Sequence, residues 1–256
     1  MKRLIGLFAI VFCALSHANV AGVHLDKAPT DLRDVASLQR GAGVYMNYCQ
    51  GCHTLQYMRY NRVAADLGLT DAAGKVNEQL VKKYLNFVGE KSTEFMVNSM
   101  PKAEVAKWFG KVPPDLTLEA RVRGKDWLYT YLRTFYLDES RPWGVNNLVF
   151  KDVGMPHVLV KLQGTQVPVY EIEHKAQPDG STHEVRHIVG LELKTPGLLS
   201  VEEYDTLVGD LVNFLDYIAE PTKLDRYRLG GWAMLFLVIF LVFAYLLKRE
   251  YWKDVH

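Results

Sequence analysis

Residues with reactive side chains are concentrated in the segment Cys49-Gln50-Gly51-Cys52-His53. A Cys-x-x-Cys-His pattern is the attachment signal of a c-type haem, in which two thiols form thioether bonds with the vinyl groups and the imidazole binds the iron. On a helix, these three side chains would stand at positions i, i+3 and i+4 and project from one face, so one flat macrocycle can reach them all. The segment therefore predicts one covalently attached haem c per chain, with His53 as an iron ligand.

Two other kinds of site also use paired cysteines. A thioredoxin-like redox pair is expected beside a βαβ pattern, which the sequence does not show. A zinc site would combine Cys49 and Cys52 with His183 and His187. Roughly 130 residues separate the two pairs, far more than the spacing of a zinc finger. The haem interpretation is therefore favoured over both alternatives.

The first 18 residues have the pattern of a secretory signal peptide. Lys2 and Arg3 precede an apolar stretch, residues 4–15, that is short for a membrane span. Ser16-His17-Ala18 resembles a cleavage site, so the mature chain is expected to begin at Asn19. The alternative is an uncleaved membrane anchor. In either case the domain that follows is exported.

A second apolar stretch lies near the C-terminus. Residues 229–247 carry no charge and are numerous enough to cross a bilayer as one helix. Trp232 and Tyr245 stand near its ends, where interfacial aromatic residues are expected. The sequence therefore predicts a single-pass protein of a bacterial inner membrane. Its haem domain, residues 19–228, would face the periplasm, and its tail, residues 248–256, the cytoplasm.

The remaining part of the chain is long enough for one substantial core. The formal net charge of +1 gives no support to nucleic-acid binding. We expect a mainly α fold, a class I cytochrome c-like haem domain with terminal helices that cross beside the haem, long loops and a β-hairpin insertion. Helices are predicted from Ser37 through the haem motif, over 78–88, over 126–136, and from a Ser200–Glu203 capping box to Pro221. Loops are predicted over 100–116 and 138–154. The hairpin is predicted over 167–193, with its turn at Pro178-Asp179-Gly180.

A second axial ligand would close the iron to substrates and leave electron transfer as its chemistry. A methionine thioether in that position favours ferrous iron and raises the reduction potential. Met100 and Met155 both precede a proline in predicted loops. Spacing alone leaves both residues open as the sixth ligand.

Four segments of the chain resemble those of one family. The stretch SLQRGAGVYMNYCQGCHTLQYMRYNRVA resembles the haem-binding segment of cytochrome c1, the haem subunit of the cytochrome bc1 complex. VPPDLTLEARVRGKDWLYTYL is similar to its PPDL segment, and NNLVFKDVGMPHVL to its distal-ligand loop. EPTKLDRYRLGGWAMLFLVIFLVFAYLLKREYW resembles its C-terminal anchor. The four segments follow in the order expected for that family.

The resemblance implies the role of two further residues. Met155 would be the sixth iron ligand, and Arg121 would pair with a haem propionate. Two features depart from the family pattern. His157 follows Pro156 and is a rival ligand, and the predicted hairpin differs from the mitochondrial members.

The resemblance also implies a function and partners. The chain would take one electron from a Rieske iron–sulfur protein and pass it to a soluble or anchored cytochrome c, as a subunit of a ubiquinol:cytochrome c oxidoreductase that also contains cytochrome b. No catalytic residue or substrate chemistry of its own is expected. One alternative is an electron-carrier subunit of a terminal oxidase. Another is a haem peroxidase, which needs an open iron position. Asp138 and Glu139 are candidates for an acidic docking patch.

Overall fold

The computed structural model describes residues 23–87, 89, 91–176 and 182–255. The predicted signal peptide, residues 1–18, and the predicted turn at Pro178-Asp179-Gly180 lie outside these residues. The chain divides into two compact units. Unit 1 comprises Met1–Ala28, Pro101–Pro113 and Arg123–Val208, and unit 2 comprises Pro29–Met100, Pro114–Val122 and Gly209–His256.

Helices contribute most of the regular structure, together with three two-stranded antiparallel sheets in the described ranges. The helices are α1 Val35–Tyr48, α2 Tyr60–Asp66, α3 Glu78–Tyr84, α4 Lys102–Phe109, α5 Glu119–Val122, α6 Lys125–Arg133, α7 Val160–Gln163, α8 Val201–Ala219 and α9 Lys223–Tyr251. The strands pair as β1 Leu55–Arg59 with β2 Phe95–Met96, β3 Phe135–Leu137 with β4 Val145–Asn147, and β5 Gly164–Ala176 with β6 Thr182–Pro196.

In unit 2, α1 and the second half of α8 cross at very close range. A Cβ atom on Gly41 would lie 2.0 Å from the carbonyl oxygen of Asp210 and 2.8 Å from the Cβ of Phe214, so only glycine allows this approach. The ring of Tyr45 contacts that of Phe214, with 5.8 Å between their centroids. Arg40 donates two hydrogen bonds to the Asp210 carboxylate, of 2.6 and 2.9 Å. The predicted crossing of the terminal helices is confirmed.

In unit 1, an arginine on α6 holds two segments that are distant in sequence. Arg133 donates to the carboxylate of Asp205 at 2.6 and 2.7 Å and to that of Asp26 at 2.6 Å. The side chain is only partly exposed, so both ion pairs are stronger than pairs in open water. The predicted capping box is also present, because the Ser200 amide donates to Glu203 and the Glu203 amide to the Ser200 hydroxyl.

The predicted hairpin is present and longer than expected. Strands β5 and β6 pair from Gly164 with Pro196 to Ala176 with Thr182, beyond the predicted limits of 167 and 193. At its base the two chain segments nearly touch. A Cβ atom on Gly164, whose φ is +93°, would lie 2.6 Å from the amide nitrogen of Gly197. Glycine is therefore required where the chain enters and leaves the hairpin.

Helix α9 is long and apolar enough to cross a membrane. An 18-residue window within it has a mean hydropathy of 2.4, and none of that window is buried. The predicted span, residues 229–247, lies inside this helix. At its start, Lys223 donates to the carboxylate of Asp216 at 2.8 Å, and Arg226 binds Glu220. These ion pairs connect the helix to the end of α8.

Several predicted boundaries differ from the observed ones. Residues 102–109 form α4 rather than a loop, because Pro101 precedes the helix and Gly110, with φ of +74°, ends it. The predicted helix 126–136 ends at Arg133, since Phe135–Leu137 pair instead with Val145–Asn147 as β3 and β4. The predicted helix over 78–88 ends at Tyr84.

Candidate haem site

The residues of the Cys-x-x-Cys-His motif form one tight turn directly after α1. The helix ends at Tyr48, and Cys49 is its C-terminal cap. The carbonyl oxygen of Cys49 accepts hydrogen bonds from the amides of Cys52, at 3.0 Å, and His53, at 2.9 Å. The second of these is a helical i to i−4 bond, so the expected spacing is preserved although the helix does not continue through the motif.

The ring of His53 is oriented by a residue far along the chain. Its Nδ1 lies 2.8 Å from the carbonyl oxygen of Pro114, 61 residues away. A carbonyl oxygen can only accept, so Nδ1 carries the proton and Nε2 keeps the lone pair that binds a metal. Burial lowers the pKa of His53, against the opposing hydrogen bond, which favours this neutral form. The residue therefore fits the role of an iron ligand, because metal-binding histidines usually donate their other N–H in this way.

The residue after Pro114 fixes the chain on the other side of His53. The Asp115 carboxylate accepts hydrogen bonds from the Thr54 hydroxyl at 2.6 Å and the Gln56 amide at 2.7 Å. The Leu116 amide donates to the carbonyl of Thr54 at 2.9 Å. We call Pro114, Asp115 and Leu116 the proximal clamp. Sequence reasoning recognised the PPDL segment but missed this function, because no local spacing relates it to His53.

No disulfide engages either cysteine of the motif, so both sulfur atoms remain available for thioether bonds. The backbone around them is held by buried partners. The Tyr45 hydroxyl donates to the carbonyl of His53 at 2.8 Å. Two unpaired thiols on one rigid turn beside a neutral imidazole are the donor set that covalent haem attachment requires.

Met155 lies in unit 1, in a loop held by two buried asparagines. The Asn147 side-chain oxygen accepts from the amides of Val149 and Phe150, and that of Asn146 accepts from the amide of Asp152. Asp152 has a φ of +61°, which is uncommon outside glycine. These bonds impose a compact path on the chain just before Met155.

The thioether of Met155 has a specific neighbour. The Tyr131 hydroxyl lies 3.3 Å from the Met155 Sδ, to which it donates a hydrogen bond. The Tyr131 ring stacks on Trp127, with 4.9 Å between centroids and an interplanar angle of 10°. Burial raises the pKa of Tyr131, so its hydroxyl remains a donor at neutral pH.

The rival ligands occupy other surroundings. In unit 1, His157 stacks on Phe135 with 4.8 Å between centroids and an angle of 4°, and burial lowers its pKa to about 4. Its Nε2 is buried and has no hydrogen-bond partner among the described residues. In unit 2, the Met100 amide donates to the Asn98 side chain at 3.3 Å.

Arg121 lies on α5 in unit 2 and is exposed. Its charge helps to lower the pKa of Glu220, after the larger effect of the Arg226 hydrogen bond. The predicted contact of Arg121 with a haem propionate stays a prediction. Cys49, Cys52, His53 and Arg121 thus belong to unit 2, and Met155 belongs to unit 1.

Other sequence candidates are engaged elsewhere. Nε2 of His187 lies 3.2 Å from a carboxylate oxygen of Glu173 on the neighbouring strand. Within the part of the chain that the structure describes, no group of three or more His, Cys, Asp or Glu residues could hold a metal ion. The Asp138 carboxylate accepts hydrogen bonds from Ser140 and Asn146, which lower its pKa and fix its loop.

Comparisons with known proteins agree with this geometry. A family model described as the cytochrome C1 family matches residues 26–163 and 200–255. Cytochrome c1 of Allochromatium vinosum is 49% identical over all of this chain and 99% of that protein. A protein of Nitrosomonas europaea named ammonia monooxygenase gamma subunit is 44% identical over 94% of this chain and 93% of its own length. Cytochrome c1 of Blastochloris viridis is 28% identical over 87% of this chain and 82% of that protein.

Proposed function

Because this chain belongs to the cytochrome c1 family, we propose that it carries single electrons from a Rieske iron–sulfur protein to a cytochrome c within a quinol:cytochrome c oxidoreductase. It is a membrane-anchored c-type cytochrome with covalently bound haem c. The haem supplies a one-electron couple between ferric and ferrous iron, with no bond made to a substrate. Cytochrome b, the Rieske protein and the acceptor are its proposed partners.

The hydrogen bond between His53 Nδ1 and the Pro114 carbonyl carries the proposal for the site. It fixes the tautomer and the orientation of the imidazole, so that Nε2 binds iron without a change in protonation. Cys49 and Cys52 form the two thioether bonds. A rigid proximal side favours electron transfer, because little of the protein must rearrange when the iron changes charge.

Met155 is the proposed sixth ligand and Arg121 the proposed partner of a propionate. The first assignment is supported by the family resemblance and by the Tyr131 hydroxyl, which donates to the same sulfur atom. A closed sixth position excludes peroxidase chemistry. Arg121 carries an exposed guanidinium suited to paired contacts with a carboxylate.

A ligand substitution tests the Met155 assignment. Met155→Leu removes the thioether with little change in volume. The bond between a thioether sulfur and haem iron gives a weak absorption band, which we expect to disappear. The midpoint potential should fall by more than about 59 mV, which is a tenfold change in the redox equilibrium. Met100→Leu and His157→Gln are the matched controls and should retain both properties. Loss of the band in either control, with retention in Met155→Leu, contradicts the assignment.

The proposed topology places the haem-carrying part outside the cytoplasm and the residues after 247 inside. It rests on the signal-peptide pattern of residues 1–18 together with the apolar helix α9. The compartment would be the periplasm of a bacterium, next to the inner membrane. The anchor then keeps the electron carrier beside the lipid phase in which quinol is oxidised.

A second candidate function has the same electron-transfer chemistry but belongs to a different enzyme complex. The similarity to a protein named ammonia monooxygenase gamma subunit is nearly as high as that to a cytochrome c1. An electron-carrier subunit of a monooxygenase or terminal oxidase would have the same haem site. Purification of the tagged chain from mild detergent separates these cases. We expect cytochrome b spectra and a Rieske electron paramagnetic resonance signal in the same fraction. Oxidase or monooxygenase subunits in their place would contradict the proposal.

A further inference from the structure

Unit 1 carries an exposed aromatic patch at the end of α4. The side chains of Trp108, Val112 and Trp143 are 56%, 45% and 44% exposed. The ring of Phe109 joins the two segments, because its centroid lies 5.6 Å from that of Trp143. Tryptophan is usually well buried in a folded protein, and clustered exposed tryptophans are typical of binding surfaces. We call Trp108, Val112 and Trp143, with the flanking Lys107 and Lys111, the tryptophan patch.

Both sides of this patch contact the loop that carries Met155. On the α4 side, the Cε of Lys111 lies 3.0 Å from the position that a Cβ atom on Gly154 would take, and its Nζ stands 5.4 Å from the centre of the Phe150 ring. On the other side, Arg141 donates to the carbonyl of Asp152 at 3.0 Å. The patch is thus continuous with residues 150–154, which lead directly to the proposed iron ligand.

The charges beside Trp108 are positive. The segment 101–113 holds three lysines and one glutamate. That glutamate, Glu104, pairs with Lys107 at 3.0 Å, and the Lys107 side chain is still 71% exposed. Lys111 is exposed as well. A partner that covers Trp108 therefore meets two lysine side chains at its edge.

The acidic residues of the neighbouring loops are mostly engaged within unit 1. Asp152 forms an ion pair with Arg141 at 3.1 Å, and the Asp138 carboxylate accepts hydrogen bonds inside its own loop. Glu139 is exposed and is the acid that a partner would meet on the Trp143 side. The sequence suggested an acidic docking patch at Asp138 and Glu139, whereas the exposed apolar area is bordered by lysines on α4.

We propose that the tryptophan patch docks a soluble electron acceptor whose contact face is apolar at its centre and acidic at its rim. This rests on the proposed function, because it places the patch beside an iron ligand. One electron passes to the acceptor, whose iron is reduced from ferric to ferrous as the haem iron of this chain is oxidised. Exposed tryptophans supply apolar contact, and the lysines orient the acceptor by long-range attraction. A partner that must leave after each electron requires only a small interface.

The test uses the detergent-solubilised complex and two probes that differ in charge alone: a basic cytochrome c, and the same protein with succinylated lysines. The complex is reduced chemically, and haem oxidation is followed after rapid mixing. The test variant combines Lys107→Glu with Lys111→Glu. At low ionic strength we expect it to lower the rate constant of haem oxidation by the succinylated probe roughly tenfold, and to raise the rate constant for the basic probe. Both effects should vanish in high salt. Retention of the complex on immobilised succinylated probe reports binding directly and should fall in the same variant.

The matched charge control is Lys82→Glu with Lys83→Glu, which changes two exposed lysines on α3 in unit 2. It should leave both rate constants within about twofold. Trp108→Ser should slow oxidation by the succinylated probe at every ionic strength, because it removes apolar contact rather than charge. Three results would overturn the proposal. The α3 control could lose as much of the rate constant for the succinylated probe as the lysine variant does, or both patch variants could leave that rate constant unchanged. The lysine variant could also lower the rate constant for the basic probe. Glu139→Lys distinguishes a basic partner from an acidic one, because loss of this acidic side chain should slow haem oxidation only by the basic probe.

Chemical reduction bypasses the donor, so this test does not depend on the Rieske protein. A complex that lacks cytochrome b would defeat the proposed function and leave the docking result standing. Conversely, a complex that oxidises quinol normally while its tryptophan patch proves inert would retain the proposed function and lose this inference.

Discussion

At the scale of single residues, the most informative contact is the one between Tyr131 and the sulfur atom of Met155. A thioether has weak acceptor strength, so a hydroxyl aimed at it needs a fixed ring. Stacking on Trp127 and an edge contact with Phe135, at 5.2 Å between centroids, provide that rigidity. With Met155 as the proposed iron ligand, a hydrogen bond on its sulfur would withdraw electron density that the sulfur would otherwise donate to ferric iron.

Tyr131→Phe removes this hydrogen bond and keeps the ring. We expect the midpoint potential to fall by roughly 20–60 mV, the range that corresponds to one neutral hydrogen bond of about 0.5–1.5 kcal/mol. Spectroelectrochemical titration of the purified complex measures it. Tyr129→Phe, on the same helix, is the control and should leave the potential unchanged. A potential that rises in Tyr131→Phe would show that the hydroxyl does not act on the sulfur of an iron-bound methionine.

The residues of the haem motif and those of the proximal clamp differ in how visible they are in a sequence. Cys49, Cys52 and His53 are neighbours in the chain, so their spacing alone indicates their chemistry. Pro114 and Asp115 act across about 60 residues, and only the fold brings them to His53. The assignment of Met155 as sixth ligand depends on the family resemblance. Met100 also precedes a proline in a predicted loop, so its position in the sequence does not distinguish it from Met155.

At the scale of elements, the contact between α1 and α8 decides whether the haem motif is held in place. Helix α1, whose C-terminal cap is Cys49, is fixed against α8 by Gly41 at the point of closest approach and by the Arg40–Asp210 ion pair beside it. The same helix contains a second glycine, Gly43, around which a Cβ atom would meet nothing within 4 Å. The two glycines offer a matched comparison within one element.

Gly41→Ala should force α1 and α8 apart, because its methyl group would lie far inside contact distance of the Asp210 carbonyl. We expect a loss of about 1–3 kcal/mol in the free energy of unfolding, the usual cost of overpacking. Gly43→Ala should instead gain up to about 1 kcal/mol, because alanine is the better helix former. Denaturant titrations followed by the haem spectrum measure both. Equal stability of the two variants would contradict the observed approach of the helices.

Elements were predicted with uneven success for identifiable reasons. The capping box at Ser200 and Glu203 indicated the start of α8, and two strand-like stretches on either side of Pro178-Asp179-Gly180 indicated the hairpin. Helix α4 is not evident in the sequence because Pro101 and Pro113 favour a loop, whereas Pro101 in fact stands directly before the helix. The β3 strand was merged into α6, since its aromatic residues continue the helical spacing from Trp127 and Tyr131.

At the scale of the whole molecule, the membrane helix is joined to the rest by a short polar segment. None of the described residues of α9 is buried, so its packing contributes little to the folded core. The ion pairs of Lys223 with Asp216 and of Arg226 with Glu220 precede the apolar stretch. Anchoring and haem binding are therefore separable properties of this chain.

A chain that ends after Arg228 should retain those ion pairs and lose its hold on the membrane. We expect it in the soluble fraction after cell disruption, with the haem spectrum and midpoint potential of the full protein, because none of the described residues in the deleted part is buried. Ultracentrifugation and redox titration check this outcome. A truncated protein without covalent haem would show that α9 takes part in maturation of the site.

The touching glycines at the base of the hairpin have an evolutionary consequence. The amide nitrogen of Gly197 lies 2.6 Å from where a Cβ of Gly164 would be, so the chain leaves and returns at nearly the same point. An arm attached in this way can be acquired, lengthened or lost by descendants without displacing α7 or α8. The family match stops at residue 163 and resumes at residue 200, on either side of that arm. The hairpin therefore lies outside the part of the chain that the family match covers, so its length and surface can change without a change in the matched segments.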